Sequence, residues 1–340
     1  MSSYELAICI PTYNRDKYLN ELLESIWQQL NFDNNKKVQI CISDNASSDN
    51  TLTVVEKWKA VGNLNIYYSC NKQNEGADFN YLKAVSLSNA EYCWIMGSDD
   101  KIAPGSIEFI LNMIKHYKYD ILITDRMECD INMKPIKIRS FFIKSNLEWD
   151  FFKNDSLEKY FNNANCLGGV FSYISSIIFR KKIWVIDNNV EKFVGTAYVH
   201  VYILLGSLIR GCTIKHINKP LVFCRLGNDS FASEGIIKRI LLDFEGYLKL
   251  ADYYFSYDRE LYNSFLKILK REHPFRRLIT IQNHSAMKKF HKYLKICGWS
   301  EFQIKLAYYF RWLYSFKRLY RFIVFVCNKL SNFFSKNIIK

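Results

Sequence analysis

A chain of 340 residues, 49% apolar and 24% charged, can bury a sizeable core, and this composition excludes a disordered polymer. Its 47 basic against 33 acidic side chains leave a formal charge of +14. Such an excess favours a polyanionic partner: nucleic acid, a phosphorylated substrate or an anionic membrane.

The first third alternates short apolar runs with helical patterns. Leu6–Ile10 reads as a strand, followed by Pro11-Thr12-Tyr13-Asn14-Arg15 and a helix entered near Asp16, with Leu19, Leu22, Leu23 and Ile26 at helical spacing. A second strand, Val38–Ser43, ends in Asp44-Asn45-Ala46-Ser47-Ser48-Asp49; the helix after it carries Leu52, Val55 and Trp58. A third, Leu64–Ser69, leads through Asn71, Asn74, Glu75 and Gly76 to a helix with Phe79, Leu82 and Val85. The fourth, Tyr92–Met96, breaks at Gly97-Ser98 before two adjacent carboxylates, Asp99 and Asp100, and a helix opened by Pro104. Four such units imply a parallel sheet with helices on both faces and right-handed crossovers.

In an open α/β sheet the ligand sits at the carboxyl ends of the strands, where all four polar clusters fall. Two ionised carboxylates at a buried strand end repel each other and lose hydration, so a divalent cation or hydrogen-bond donors must compensate them. A solvated turn capping the next helix is the plainer account of the same residues. No Gly-x-x-x-x-Gly-Lys and no Gly-x-Gly-x-x-Gly occurs among these loops, which disfavours a P-loop or dinucleotide fold.

Further along, Tyr119–Thr124 reads as a strand and 127–145 as a hairpin. Leu147–Phe161 reads as an amphipathic helix, and Asn165–Ser176 is a small, polar stretch. Within it Gly168-Gly169 would let backbone approach a ligand, or would serve an ordinary loop. Ile177–Arg180 is expected as a strand, Lys181–Ile186 as a helix start, Gly195–Gly211 as a helix, and Thr213–Asn218 and Leu221–Arg225 as two strands around Pro220. Beyond Glu234 the pattern is helical at 236–255, 260–270 and 287–297. From Ile304 to Lys340, Arg311, Lys317, Arg318, Arg321, Lys329 and Lys336 fall within roughly 120° on a helical wheel, beside Tyr, Phe, Trp and Leu. That stripe suits an anionic bilayer surface or a solvated basic face. No RNA- or DNA-binding motif accompanies it, and nucleic acid is not the expected partner.

The ten cysteines sit mostly in apolar runs (Cys9, Cys41, Cys93, Cys224) without a CxxC pair, which predicts reduced core thiols in a cytosolic protein. No signal peptide is read at the start, and no apolar run reaches the ~18 residues of a membrane span.

The ordered motifs Ile10–Arg15, Ser43–Asp49, Asn74-Glu75-Gly76 and Ser98-Asp99-Asp100 with Pro104 resemble the nucleotide-sugar-binding half of family-2 glycosyltransferases of the GT-A fold. The similarity is to bacterial enzymes that build O-antigen or capsule, abequosyltransferase-like ones included. It is strong over residues 4–117 and thinner beyond.

The resemblance implies an α/β, Rossmann-like, mostly parallel sheet with helices on both faces, plus a helical C-terminal extension. Residues 1–230 would form the transferase domain, with 1–117 its nucleotide-sugar half and 118–230 its acceptor half. Residues 231–340 would be a helical region ending in a basic, aromatic membrane-surface tail. Pro11, Thr12, Tyr13, Asn14 and Arg15 would line the base and diphosphate pocket with Asn45, Gly76 and Ser98. Asp44 would meet the nucleobase and Arg225 the diphosphate. Asp99 would contact ribose or sugar and share with Asp100 a role toward Mn²⁺ or Mg²⁺, in keeping with the hard oxygen ligands such cations prefer.

Two positions depart from the family's pattern. Gly97 stands where the first Asp of an Asp-x-Asp-Asp motif is usual, and Val199-His200 stand where Glu-Asp supplies the general base. His200 can substitute chemically, and Glu191 and Asp187 are the alternatives. The implied activity is inverting, metal-dependent transfer from a nucleotide-diphospho-sugar to a growing, lipid-linked surface glycan by a peripheral protein on the inner face of the cytoplasmic membrane. A sugar-nucleotide nucleotidyltransferase and an inactive glycan- or membrane-binding module are the competing readings.

Overall fold

The computed structural model describes residues 4–153, 155–228, 235–274 and 284–306. Contacts divide the chain into a unit of residues 1–268 and a second of 269–340.

The first unit is built on one mixed sheet. Strands β1 (Tyr4–Thr12), β2 (Val38–Asp44), β3 (Ile66–Cys70) and β4 (Ala90–Ile95) pair in parallel in the order β3-β2-β1-β4. Between them run α1 (Asp16–Trp27), a short α2 (Phe32–Asn35), α3 (Thr51–Val61) and α4 (Ala77–Ser86). Every residue of β2 is buried, as a central parallel strand covered on both faces requires. Leu6, Ile8, Ile10, Leu22, Ile26, Ile40 and Trp94 belong to one continuous apolar core.

After β4 come β5 (Lys101–Ile102), α5 (Ser106–Tyr117), β6 (Ile121–Cys129), β7 (Pro135–Arg139), β8 (Glu148–Asp150), α6 (Leu157–Asn163), β9 (Ile177–Arg180), α7 (Val199–Arg210) and β10 (Thr213–Arg225). β9 inserts antiparallel between β4 and β6; β10 runs parallel to β6, with β5 at the sheet's end. The expected α/β sheet is thus parallel through its first four strands, and β9, with β5, β7 and β8, adds antiparallel pairings beyond them. Helix α8 (Ile236–Phe255) follows, then α9 (Arg259–Glu272), whose Phe265 packs with Phe161 and Phe255 at ring-centroid distances of 5.0 and 5.2 Å. In the second unit, α10 (His284–Ile296) is followed by Trp299, whose ring lies 5.0 Å from Lys270 Nζ.

Three expectations are corrected. Leu147–Phe161 is not one helix: Glu148–Asp150 pairs antiparallel with Thr213–Lys215, a single 3₁₀ turn follows, and the helix begins only at Leu157, capped by Ser156. Strand pairing buries Trp149 against the core, which helical spacing could not reveal. Lys181–Ile183 is one 3₁₀ turn rather than a helix start. The two strands around Pro220 are one strand, β10. Register shifts at Pro220 accommodate the missing N–H, so the ladder continues to Arg225. The basic, aromatic stretch from 307 onward lies outside the described residues, as does Ser230.

Candidate functional site

The carboxyl ends of β1 to β4 are wired together through their loops. Asn14, at φ +50°, donates its N–H to Ser47 Oγ (2.9 Å) and accepts from the Ser48 N–H (2.8 Å). Asn tolerates that left-handed backbone at low cost. The Asn45 N–H donates to the Thr12 carbonyl, and its side chain donates to Asn74 Oδ1 and the Gly76 carbonyl while accepting from Asn71 and the Glu75 N–H. Asp44, expected to meet a nucleobase, is 2% exposed, and both its oxygens are engaged. Ser47 donates to one and the Tyr68 hydroxyl to the other at 2.7 Å. Burial, with the Asp44 carboxylate beside it, pushes the Tyr68 hydroxyl far above its ordinary pKa. Pro11, Thr12 and Ser98 are buried, while Tyr13 and Asn14 are exposed at the rim.

The acid pair sits on the turn after β4. Asp100 is 5% exposed, and its Oδ2 accepts from the Tyr173 hydroxyl (2.6 Å) and Ser175 Oγ (2.5 Å). Its Oδ1 accepts from the Arg225 N–H at 3.3 Å. Burial and the neighbouring Asp99 charge nonetheless push its pKa up to about 7. Asp99 forms an ion pair with Arg15 and accepts from the Asn228 amide (3.1 Å). Ser175 Oγ also accepts the Gly97 N–H at 2.9 Å. A Cβ at Gly97 would lie 3.1 Å from Asp100 Oδ2 and 3.3 Å from both Asp99 Oδ1 and Ser175 Oγ. The turn is thus closed tightly around its oxygens, and a side chain at Gly97 would crowd them.

Arg225 is held from several sides. Its Nε donates to the Asp99 carbonyl (3.0 Å), one terminal nitrogen to the Ile131 carbonyl and the other to Glu21 (2.7 Å), while Tyr18 lies beneath at 4.7 Å. Burial opposes ionisation of Glu21, yet Lys101 and Arg225 outweigh it and hold its pKa low. This guanidinium, 3% exposed, is committed to the acid-pair turn.

Segment 171–175 touches both the acid pair and α7. His200, 1% exposed, places Nε2 at 2.9 Å from the Phe171 carbonyl; Nδ1 has no partner among the described residues. Burial lowers its pKa to about 4, so the ring is neutral. Asp187 accepts from the Tyr202 hydroxyl at 2.8 Å, and Glu191 lies exposed on a 3₁₀ turn at Val190–Phe193. Among the described residues, no hydrogen bond or ion pair joins either of them to Asp99 or Asp100.

Sequence reasoning missed several members. Tyr173 and Ser175 lie in the stretch noted only for its small residues, and its glycines serve packing. A Cβ at Gly168 would meet the Phe141 ring at 2.6 Å, and one at Gly169 the Phe141 carbonyl at 2.8 Å. Asp78, 3% exposed in the first turn of α4, accepts from the N–H groups of Ala197 (2.7 Å) and Val199 (3.2 Å) and so caps α7. Burial raises its pKa despite those bonds. A carboxylate just after Gly76 at a helix start was the available signal, but its partner lies far along the chain.

The site's hard oxygen donors fit a divalent cation: two adjacent carboxylates, one deeply buried, beside loops that can present a diphosphate. Among the described residues no cluster of three or more His, Cys, Asp or Glu could hold a metal, so a cation at this turn would need oxygens from elsewhere.

Residues 7–184 match the family model described as glycosyl transferase family 2. Over 273 residues the chain is 41% identical to the abequosyltransferase RfbV of Salmonella typhimurium, covering 79% of this chain and 81% of that one. Among solved structures, S. aureus TarS with UDP-GlcNAc superposes with a TM-score of 0.60 at 16% identity, over 86% of this chain and 81% of that one. The mannosyltransferase PcManGT of Pyrobaculum calidifontis, with GDP-Man and Mn²⁺, gives 0.51 at 15% identity over 91% and 80%. These likenesses in structure concern the fold, a GT-A arrangement.

Proposed function

The chain belongs to glycosyl transferase family 2, and from that premise we propose that it moves a sugar from a nucleotide-diphospho donor to a growing bacterial surface glycan carried on a lipid. The observation that carries this reading is the Asp99–Asp100 turn, set at the strand ends among donors and with one carboxylate almost wholly buried. The abequosyl transfer in the name of the Salmonella relative makes an abequosyl donor the first to try.

In this reading Asp100, with Asp99, would hold Mn²⁺ or Mg²⁺, and such a cation would supply positive charge to offset that developing on the departing diphosphate. Tyr173 and Ser175 fix the Asp100 carboxylate, and Arg225 with Glu21 fixes the turn. Tyr13 and Asn14 at the rim, with Arg15, receive the nucleotide. The acceptor hydroxyl gives its proton to a base, and its oxygen forms a bond to the anomeric carbon. The carbon–oxygen bond to the diphosphate breaks on the opposite face, and the configuration inverts. His200 is the first candidate base: with Nε2–H taken by Phe171, Nδ1 is the nitrogen left to accept a proton, and the ring, 1% exposed here, would have to be uncovered for an acceptor hydroxyl to reach it. Exposed Asp187 and Glu191 are the alternatives. Among the described residues no helix is long and apolar enough to cross a membrane, and we place the protein peripherally on the cytoplasmic face.

The test is metal-dependent donor cleavage. Purified protein is mixed with a panel of nucleotide sugars, with and without Mn²⁺, and released nucleoside diphosphate is measured. One donor should be cleaved with metal present, and Asp100→Ala should lower the rate by roughly 100-fold or more. Absence of any nucleoside diphosphate binding with metal present would overturn the proposal.

A further inference from the structure

The hairpin of β6 and β7 presents two unlike faces. On the inner one, Arg126 pairs with Glu128 (2.9 Å), Lys137 reaches the same carboxylate (3.4 Å), and the Arg126 guanidinium lies 4.3 Å from the centre of the Tyr173 ring. Tyr173 in turn donates to Asp100, and the Ile131 carbonyl at the hairpin's turn accepts from Arg225. This face leans on the candidate site.

Alternation along the strand sends Ile136 and Ile138 to the other face, with Ile138 opposite Met127. They are 57% and 55% exposed, and Ile131 and Ile143 in the adjoining loops are 45% and 62% exposed. Four large β-branched side chains left open within one short segment require an explanation, whereas scattered single ones would not. The same segment contains no Asp or Glu from Ile131 to Leu147, but it carries Lys134, Lys137, Arg139 and Lys144. Lys134 and Lys144 are exposed beside the isoleucines.

We propose that this outer face of the hairpin docks onto an anionic lipid bilayer, with Ile136 and Ile138 entering the headgroup boundary while Lys134 and Lys144 meet lipid phosphates. Apolar side chains flanked by Lys134 and Lys144 are complementary to that surface in both terms, and the carboxylate of the turn, Asp130, is turned to the backbone, where its Oδ1 accepts from the N–H groups of Asn132 and Lys134. A second copy of the chain is a poor occupant. Pairing two such hairpins would set cation against cation, and Pro135 and Lys137 are residues that block edge-to-edge strand addition. Because the inner face contacts Tyr173 and Arg225, docking would bring the acid-pair turn close to the bilayer, where a lipid-carried acceptor is presented. That consequence rests on the function proposed above; the docking itself is read separately.

Flotation of the full-length protein with phosphatidylcholine vesicles, with and without phosphatidylglycerol, tests it. The expected result is salt-sensitive binding only when phosphatidylglycerol is present, weakened at least about tenfold both in Ile136→Ser/Ile138→Ser and in Lys134→Glu/Lys144→Glu. Nucleoside diphosphate binding in solution should be retained in both variants, which shows that they are folded. Wild-type protein that stays off these vesicles overturns the proposal. So does wild-type binding that both variants keep, which would place the membrane contact elsewhere in the chain. Self-association abolished by the isoleucine substitutions, without vesicle binding, overturns it in favour of a second copy. If the vesicle result holds but nucleotide is never bound, the docking stands and the transferase mechanism falls.

Discussion

Tyr173 and Ser175 illustrate how much a buried carboxylate depends on its donors. Removing one hydroxyl leaves Asp100 partly unsatisfied where water does not reach it, and such partners of a metal-binding carboxylate typically affect affinity or activity by tenfold or more. Tyr173→Phe is therefore expected to lower Mn²⁺-dependent donor cleavage by roughly tenfold, to raise the Mn²⁺ concentration needed for half-maximal rate, and to cost about 1 kcal/mol of stability for the donor that Asp100 loses. His200 makes a prediction of a different kind. Its folded pKa, about 4, lies below its ordinary value near 6.5, so between those limits the unfolded chain takes up a proton that the folded chain refuses. Its contribution to stability is present above pH 6.5 and is lost as pH falls toward 4, on the order of 3 kcal/mol. Asp100, pushed up to about 7, acts in the opposite sense over much of that range. Comparing melting temperature against pH for the wild type and His200→Gln isolates the histidine: the variant should lose less stability on acidification.

At the scale of elements, the site is assembled by long-range caps and ties more than by the helices themselves. Asp78 in α4 satisfies N–H groups at the start of α7, where a helix would otherwise expose unpaired donors. Asp78→Ala is expected to destabilise the protein by about 2–3 kcal/mol, measured by urea unfolding, because the orphaned N–H groups stay buried. The four strand ends were recognisable in sequence because each apolar run stops at a cluster of capping and turn residues. The acid pair was recognisable because carboxylates at a buried strand end demand compensation. Tyr173, Ser175 and Asp78 were not, since each acts on a residue more than seventy positions away, and local periodicity carries no record of such a partner. Leu147–Phe161 departs from its helical spacing for a related reason: pairing of Glu148–Asp150 with β10 outweighs it.

At the scale of the whole molecule, the sheet order β3-β2-β1-β4-β9-β6-β10 carries the ends of β1, β4 and β10 to one place, where Arg15–Asp99 and Arg225–Glu21 tie them together. A ligand that bridges these ends should stabilise the fold as a unit. Nucleoside diphosphate with Mn²⁺ at about a hundred times its dissociation constant is expected to raise the melting temperature by about 5 °C, and the nucleotide without metal by much less.

The alternation of apolar runs with polar loops, by itself, determined the parallel α/β half and the family-like order of its motifs. It also singled out Asp99 and Asp100, since strand burial and like-charge repulsion are local properties. The tertiary structure alone decided which groups compensate that pair, why Gly97 has no side chain, and that Arg225 turns its guanidinium toward Glu21 and Ile131. It also decided that Ile136 and Ile138 remain uncovered. Each of these depends on which distant segment packs against which. That is settled only when the sheet closes, because donors and acceptors far apart in sequence become neighbours there.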